Sequence, residues 1–567
     1  MEIRVGVGDL MKMGTKLVGH KIVQYRLATK QTRVISTRNG QVKGLRRKTL
    51  YDEELYFAFE GIPFAQPPLG ELRFRAPEPA EPWQGIRDCT YPRAKPMQKH
   101  FVLSIVEGSE DCLYLNVYAK KLDTEQPLPV LVWIYGGGFQ IGEASRDFYS
   151  PDYFMKQDVI LVTFNYRVGA LGFLSLADRD LDVPGNAGLK DQVLALRWVR
   201  ENISQFNGDA NNITLMGESA GAASTHMMMT TEQTRGLFHK AIMQSGSMYS
   251  EWASEPRGNW AYRLACSIGY SGSENEKEVF RYLQRASASD LATHCIALIT
   301  QEEKRNYVLF AFTPVVEPYV TSACVMPKPH REMVADAWGN DIPLIIGANS
   351  FEGLFSYQST MQDADHMLSA FEALIPREVR DQVTPAELKD LIREFKISNF
   401  DDATRGRMEF NECLHLLSIK HFWHGIHRTV LSRLALAPTT PTYLYRFDFD
   451  SPHFNHFRTV MCGRHVRGVS HGDDVSYLFY LLLATKLDKS SMEYRTIERM
   501  IGMWTAFAAN DNPSCPQISP VMWDALDTNG PQMCLNIGHN LEFFELPETK
   551  QLRMWDRLYD KQNNNEM

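Results

Sequence analysis

Ile213-Thr-Leu-Met-Gly217-Glu218-Ser219-Ala220-Gly221-Ala222 decides how this chain is read: an apolar strand-like run, a Gly-x-Ser-x-Gly motif, then small helix formers. At ordinary glycine and serine usage such a motif arises by chance about 0.2 times in a chain of this length, so its weight comes from its setting. A sharp strand-to-helix turn forces the central serine into a strained backbone conformation and needs small neighbours, which Gly217 and Gly221 supply. Ser219 then stands at a helix N-terminus, where free N–H groups and the helix dipole favour developing negative charge.

A nucleophilic serine needs a base and a site for an oxyanion. Upstream, Val130-Leu-Val-Trp-Ile-Tyr135-Gly136-Gly137-Gly138-Phe139 places three glycines directly after a strand-like run. Backbone there can approach a substrate closely, so Gly136, Gly137 and the amide of Ala220 are the expected oxyanion donors. Downstream, the acid and base follow in the order acid, then histidine. Glu352 in Asn349-Ser-Phe-Glu352-Gly353 lies just past the run Ile342–Gly347, where α/β sheets place their sites. His471 in Gly468-Val-Ser-His471-Gly472 lies on a glycine-bounded loop after the run Thr442–Phe449 and is the candidate base. A competing cluster, His421, His424 and His427, has i, i+3, i+6 spacing and no His-Glu-x-x-His pattern. Only neighbouring pairs there share a helix face, so no metal site is expected.

The strand-like runs Val130–Tyr135, Val159–Phe164 and Ile213–Met216, with the helical stretch Ala187–Phe206 between the last two, imply a mainly parallel sheet covered on both faces. Residues 255–335 and 355–440 are charge-rich and helical in pattern, and read as insertions over one end of that sheet. Val34-Ile-Ser-Thr-Arg and Gln41-Val-Lys-Gly-Leu45 flank Asn39-Gly40, a hairpin signal.

The chain has 567 residues and a net charge of −8, which argues against nucleic acid as a partner. Residues 1–50 carry twelve Lys/Arg and two acids, a net of +10, so the remainder carries −18. Lys12, Lys16, His20 and Lys21 interrupt any secretory signal core. Residues 8–28 instead place Leu10, Met13, Leu17, Val18, Ile22 and Tyr25 at helical spacing among basic residues. This is the pattern of an amphipathic helix on an anionic lipid surface or docked on the protein's own body. The longest apolar run, Tyr477 to Ala484, is far too short to span a bilayer. An odd count of nine cysteines without a CxxC pair fits a reducing compartment. The expectation is thus an intracellular protein, peripheral on membrane or lipid, whose triplets Asn202-Ile-Ser and Asn212-Ile-Thr go unglycosylated.

Phe59-Glu-Gly-Ile-Pro-Phe-Ala-Gln-Pro-Pro-Leu-Gly-Glu-Leu-Arg-Phe74, Glu110-Asp-Cys-Leu-Tyr-Leu-Asn-Val-Tyr118, Gly185-Asn-Ala-Gly-Leu-Lys-Asp-Gln192 and Gly217-Glu-Ser-Ala-Gly221 together resemble the type-B carboxylesterases, the cholinesterase-like group, most nearly its insect α-esterase branch. The resemblance spans residues 33–560. It implies an α/β-hydrolase fold, a Ser219/Glu352/His471 triad, an oxyanion hole on Gly136, Gly137 and Ala220, and ester hydrolysis through an acyl-enzyme open to organophosphates. No cofactor or metal is implied. By position Trp252, Phe310 and Phe422 resemble acyl-pocket residues, and Cys89 and Cys112 match the family's first disulfide pair. Tyr135 stands where histidine is usual before the glycines, and no tryptophan lies between Cys89 and Cys112 to hold a quaternary ammonium, so acetylcholine is not an expected substrate.

The expected division is a basic arm over 1–30, one hydrolase domain over 31–560 and a polar tail over 561–567. The expected function is hydrolysis of lipid or xenobiotic esters. The rivals are a lipase acting on long-chain glycerides at a lipid surface, stoichiometric capture of organophosphates, and a non-catalytic interaction protein on the same fold.

Overall fold

Short apolar strands, unable to bury both faces alone, pair into one twelve-stranded sheet in the computed structural model, which describes residues 7–100, 103–254, 258–482 and 484–563. In chain order the strands are β1 Ala28–Gln31, β2 Leu45–Lys48, β3 Leu55–Pro63, β4 Tyr114–Ala119, β5 Leu128–Ile134 and β6 Ile160–Phe164. They continue as β7 Gly208–Glu218, β8 Lys240–Gln244, β9 Leu344–Asn349, β10 Thr442–Phe447, β11 Met533–Ile537 and β12 Leu541–Glu545. Spatial order follows chain order except that β6 lies between β4 and β5. From β6 through β5 to β11 every pairing is parallel, while β1–β4, the β4–β6 junction and the β11–β12 edge are antiparallel. Strands β6, β8 and β9 are buried at every position, as strands covered on both faces must be.

The expected runs map onto β5, β6, β7, β9 and β10 with ends shifted by a few residues, and the helical stretch becomes α2 Ala187–Asn202 followed by a 3-10 turn to Phe206. The Asn39-Gly40 hairpin forms in a separate three-stranded sheet, Ile35–Ser36 pairing with Gln41–Lys43 and that strand with Ile86–Asp88. The connections β8–β9 and β9–β10 carry the expected helical insertions.

The boundaries drawn at 30 and 560 do not coincide with breaks in the structure. Helix α1 Val7–Leu27 runs without a spacer into β1, whose Ala28 and Gln31 pair with Arg47 and Leu45 of β2, so 28–30 belong to the sheet. At the other end, beyond helix α6 Met492–Asn510, helix α7 Thr549–Asn563 continues through 561–563; the rest of the expected tail lies outside the described residues. His20 and Gln24 form the buried face of α1. His20 stacks on Tyr480, and Gln24 accepts from Arg146 Nη1 at 2.5 Å through its side chain and from Arg47 Nη1 at 3.1 Å through its backbone carbonyl. Arg146 in turn binds the buried Glu60. The side chains of Leu10 and Met13 lie outside the described residues. Among the described residues no helix is long and apolar enough to cross a membrane.

Candidate active site

Strand β7 ends at Glu218 and helix α3 Ala220–Thr230 begins two residues later, so Ser219 alone makes the turn, at φ 58° and ψ −123°. This is a left-handed conformation that costs a non-glycine residue of order 1–3 kcal/mol and persists only where surroundings enforce it. They do: the Ser219 N–H donates to Gln244 O at the end of β8 (2.8 Å), and Ser219 O accepts from Ala223 N (3.0 Å). A Cβ at Gly221 would collide with the Ile134 carbonyl of β5, and one at Gly217 with the Gly221 backbone, which is why both positions are glycine.

The glycine loop leaves β5 directly beside this turn. A side chain at Gly136 would stand 2.6 Å from Glu218 Oε2 and 2.9 Å from Ser219 Cβ, so the loop backbone lies against the serine. Gly137, at φ 112°, closes the loop by accepting from Gln140 N and Ile141 N, and the first-turn amide of Ala220 has no intrahelical acceptor. Of the three expected donors, Gly136 and Ala220 thus lie directly beside Ser219, and Gly137 follows Gly136 in the loop. Tyr135, the departure from the usual histidine, is fully buried and stacks on Tyr166 with ring centroids 4.4 Å apart.

Glu352 stands in a 3-10 turn just beyond β9, and His471 follows β10 on the loop before the turn Asp473–Tyr477. The structure brings them together: His471 Nδ1 lies 2.6 Å from Glu352 Oε2. Glu352 Oε1 accepts from Asn349 N at 2.7 Å and Ser245 Oγ at 2.5 Å, so both oxygens of this buried carboxylate are satisfied. The other imidazole nitrogen, Nε2, faces Glu218 Oε1 at 3.2 Å, on the residue immediately before Ser219. Phe422 (4.4 Å between centroids) and Phe355 (5.4 Å) pack on the imidazole.

Glu218, Ser245 and Asn349 take part in this arrangement although the sequence reading assigned them no role. For Glu218 the signal was its place inside the Gly-Glu-Ser motif. Burial raises its pKa to about 8, His471 opposing the rise while Asp474 and Glu352 add to it. Burial lowers that of His471, but Glu218 and then Glu352 outweigh it and bring it up to about 9. Asp474 approaches from the far side; its carboxylate accepts from Gln244 (2.7 Å), Tyr445 (3.1 Å) and Asn349 (3.3 Å).

Trp252, Phe310 and Phe422 converge as one aromatic wall, with Trp252 6.5 Å from Phe310 and 6.1 Å from Phe422 between centroids. Phe310 fills the space over Gly138, where a Cβ would strike its ring. Phe422 is carried by a π-helical turn, Ile419–Trp423, between helix α4 Phe410–Ser418 and helix α5 His424–Leu436. One extra residue per turn of this kind re-aims side chains and is common at functional sites. The turn is pinned by Trp252 Nε1 donating to His421 O (2.7 Å) and Trp423 Nε1 donating to Asn349 O (3.1 Å).

The three histidines near this turn diverge. His421 faces Tyr307, while His424 and His427 both direct Nε2 to Asp556 of α7, at 3.1 and 2.7 Å. The disulfide that the family pattern implied for Cys89 and Cys112 is not formed. All nine cysteines are free, and burial raises the pKa of both thiols, Cys89 to about 12, which keeps them protonated and inert to exchange.

Known proteins resemble this chain over most of its length. The model of the carboxylesterase family matches residues 31–555. Esterase B1 of Culex pipiens is 38% identical over 534 residues, which cover 93% of this chain and 98% of that protein. Juvenile hormone esterase of Tribolium castaneum is 34% identical over 519 residues, 85% of each chain. Among solved structures, juvenile hormone esterase from Manduca sexta with OTFP covalently attached superposes with a TM-score of 0.81 at 28% identity, covering 93% of this chain and 99% of that one.

Proposed function

Because this chain belongs to the carboxylesterase family and is a carboxylic ester hydrolase, we propose that Ser219, His471 and Glu352 carry out its reaction as nucleophile, base and orienting acid. His471 exchanges Glu218 for the adjacent Ser219 hydroxyl and accepts its proton at Nε2 as Oγ attacks the ester carbonyl. Gly136, Gly137 and Ala220 donate N–H groups to the tetrahedral oxyanion, each such donor being worth roughly 2.7–4 kcal/mol. The imidazolium, stabilised by Glu352 at Nδ1, protonates the leaving alkoxide, and the alcohol departs. Water then attacks the acyl-enzyme with His471 again as base, and carboxylate and free Ser219 result. The observation that supports this most is the 2.6 Å bond of His471 Nδ1 to Glu352, with Nε2 turned to the serine-bearing turn. In a burst assay with a chromogenic short-chain ester, wild type should show a burst and turnover that both vanish in Ser219→Ala. Unchanged hydrolysis in that variant would refute the assignment. His471→Ala and Glu352→Ala should each lose most of the rate, the glutamate change being milder.

The substrates proposed are uncharged lipid or xenobiotic esters with a short acyl group, because Trp252, Phe310 and Phe422 offer an apolar wall without a charged group. An organophosphate entering the same space would be attacked at phosphorus by Oγ, its leaving group departing with the proton relayed by His471, and the phosphoryl group would stay on Ser219 wherever water is not placed to displace it. The reading extends to peripheral contact with an anionic lipid surface inside the cell. While His20 and Gln24 face the body, Val18 and Tyr25 on the outer side of α1 are 60% and 83% exposed, next to Leu17, Ile22 and the exposed Arg26. The same surface favours the lipase alternative. Flotation with vesicles of phosphatidylglycerol and phosphatidylcholine should retain wild type and release Val18→Glu/Tyr25→Glu. Turnover of long-chain glycerides above that of short esters would select the lipase.

A further inference from the structure

The peptide plane that presents Gly136 to the substrate has its carbonyl in the grip of a tyrosine. Tyr166 Oη donates to Tyr135 O at 2.9 Å. The bond is half of a reciprocal pair: Tyr135 Oη donates to Tyr166 O at 2.8 Å and accepts from Tyr166 N at 3.1 Å. The two rings stack at 4.4 Å with an interplanar angle of 16°, and both residues are fully buried. Each hydroxyl therefore fastens the main chain of the other residue, one at the end of β5 and one just after β6, and burial keeps both phenols neutral donors.

The carbonyl of Tyr135 and the N–H of Gly136 belong to one rigid trans peptide and point in opposite directions. Fixing the carbonyl fixes the direction of the N–H. In a glycine loop with little steric restraint of its own, this plane would otherwise rotate about the Tyr135–Gly136 axis. The loop is braced further along as well: Gln98 donates to Gly142 O and accepts from Gly142 N, each at 2.8 Å, and Gly142 lies against the Tyr135 ring. We propose that Tyr166 is a positioning residue of the oxyanion site, whose hydroxyl, through Tyr135 O, aims the Gly136 N–H at the oxyanion formed during ester hydrolysis. The inference rests on Gly136 being an oxyanion donor.

The test uses full-length Tyr166→Phe and Tyr135→Phe, a short-chain ester, a trifluoromethyl ketone that forms a tetrahedral adduct on Ser219, and the matching ether as a ground-state mimic. Tyr166→Phe keeps the stacked ring. It should lower kcat by about tenfold to a hundredfold, the range expected when a reacting group is misplaced by a fraction of an ångström to about 1 Å. KM and ether affinity should stay within twofold, and ketone affinity should fall by the same factor as kcat. Tyr135→Phe, which leaves the Tyr166 hydroxyl on Tyr135 O, should be the milder variant. Ketone affinity within threefold of wild type in Tyr166→Phe, equal losses of ketone and ether affinity, or a larger effect from Tyr135→Phe would each overturn the proposal. A wild type that binds the ketone no better than the ether would instead sink the oxyanion assignment beneath it. Should Tyr166→Phe not fold, 4-aminophenylalanine at 166, a weaker donor with the same reach, should give an intermediate loss of kcat and ketone affinity. Wild-type values there would overturn the proposal equally.

Discussion

Replacing Glu218 by glutamine removes a carboxylate that stands 3.2 Å from His471 Nε2 and, when ionised, is the foremost influence raising the imidazole pKa against burial. The base must be neutral to accept the serine proton, so its pKa sets the acid limb of kcat/KM. With the charge gone, the pKa of His471 falls, and the acid limb in Glu218→Gln should move to lower pH than in wild type. A pH profile with unchanged limb position would mean that His471 does not sense Glu218. The same residue shows where sequence reading stops. Ser219, Gly217 and Gly221 are legible because a tight turn restricts residue type locally. The raised pKa of Glu218 depends on burial beneath a loop 80 residues upstream and on carboxylates at 352 and 474, which no local pattern contains.

At the scale of elements, the acyl wall is assembled from insertions and not from the sheet. Phe310 sits in the β8–β9 connection and packs over Gly138, so Phe310→Ala should open the pocket without touching His471. We expect kcat/KM for a hexanoyl ester, relative to an acetyl ester, to rise by about tenfold, since each accommodated methylene is worth about 1–3 kcal/mol. An unchanged ratio would place the acyl chain elsewhere. The part of that wall on the π-helical turn, Phe422, depends on α7. Burial raises the Asp556 pKa, but the bonds from His424 and His427 outweigh it and hold the carboxylate well below its usual range. Asp556→Asn, at a half-buried position, would present an amide N–H to one of two buried imidazole donors, a mismatch of up to about 1–3 kcal/mol. A thermal melt should show a lower Tm. An unaltered Tm would mean that the pair contributes nothing to docking α7.

Across the whole molecule, the parallel centre of the sheet was legible because strands buried on both faces need continuous apolar runs, as in Val130–Ile134 and Ile160–Phe164. Strand β8 was not, for its sequence Lys240-Ala-Ile-Met-Gln244 begins and ends with polar residues. Their partners come from far along the chain: Lys240 reaches Asn212, Asp511 and Ala508 O, and Gln244 reaches Asp474 and Trp504. The edge strand β1, Ala-Thr-Lys-Gln, and its neighbour β2, Leu-Arg-Arg-Lys, were hidden because neither offers an apolar run, and with them the continuity of α1 with the sheet. Deleting residues 1–27 would strip Arg146 and Arg47 of their Gln24 bonds and uncover Tyr480, so we expect a Tm several degrees lower. Equal melting of the two forms would show that α1 is not part of the folded body.

Helix α7 reaches the catalytic centre without touching it. Its Asp556 carboxylate ties down His424 and His427, which follow the π-helical turn that carries Phe422, and Phe422 in turn lies against the His471 ring. One face of the catalytic imidazole is thereby fastened at second hand, by an anchor that lies outside the sheet.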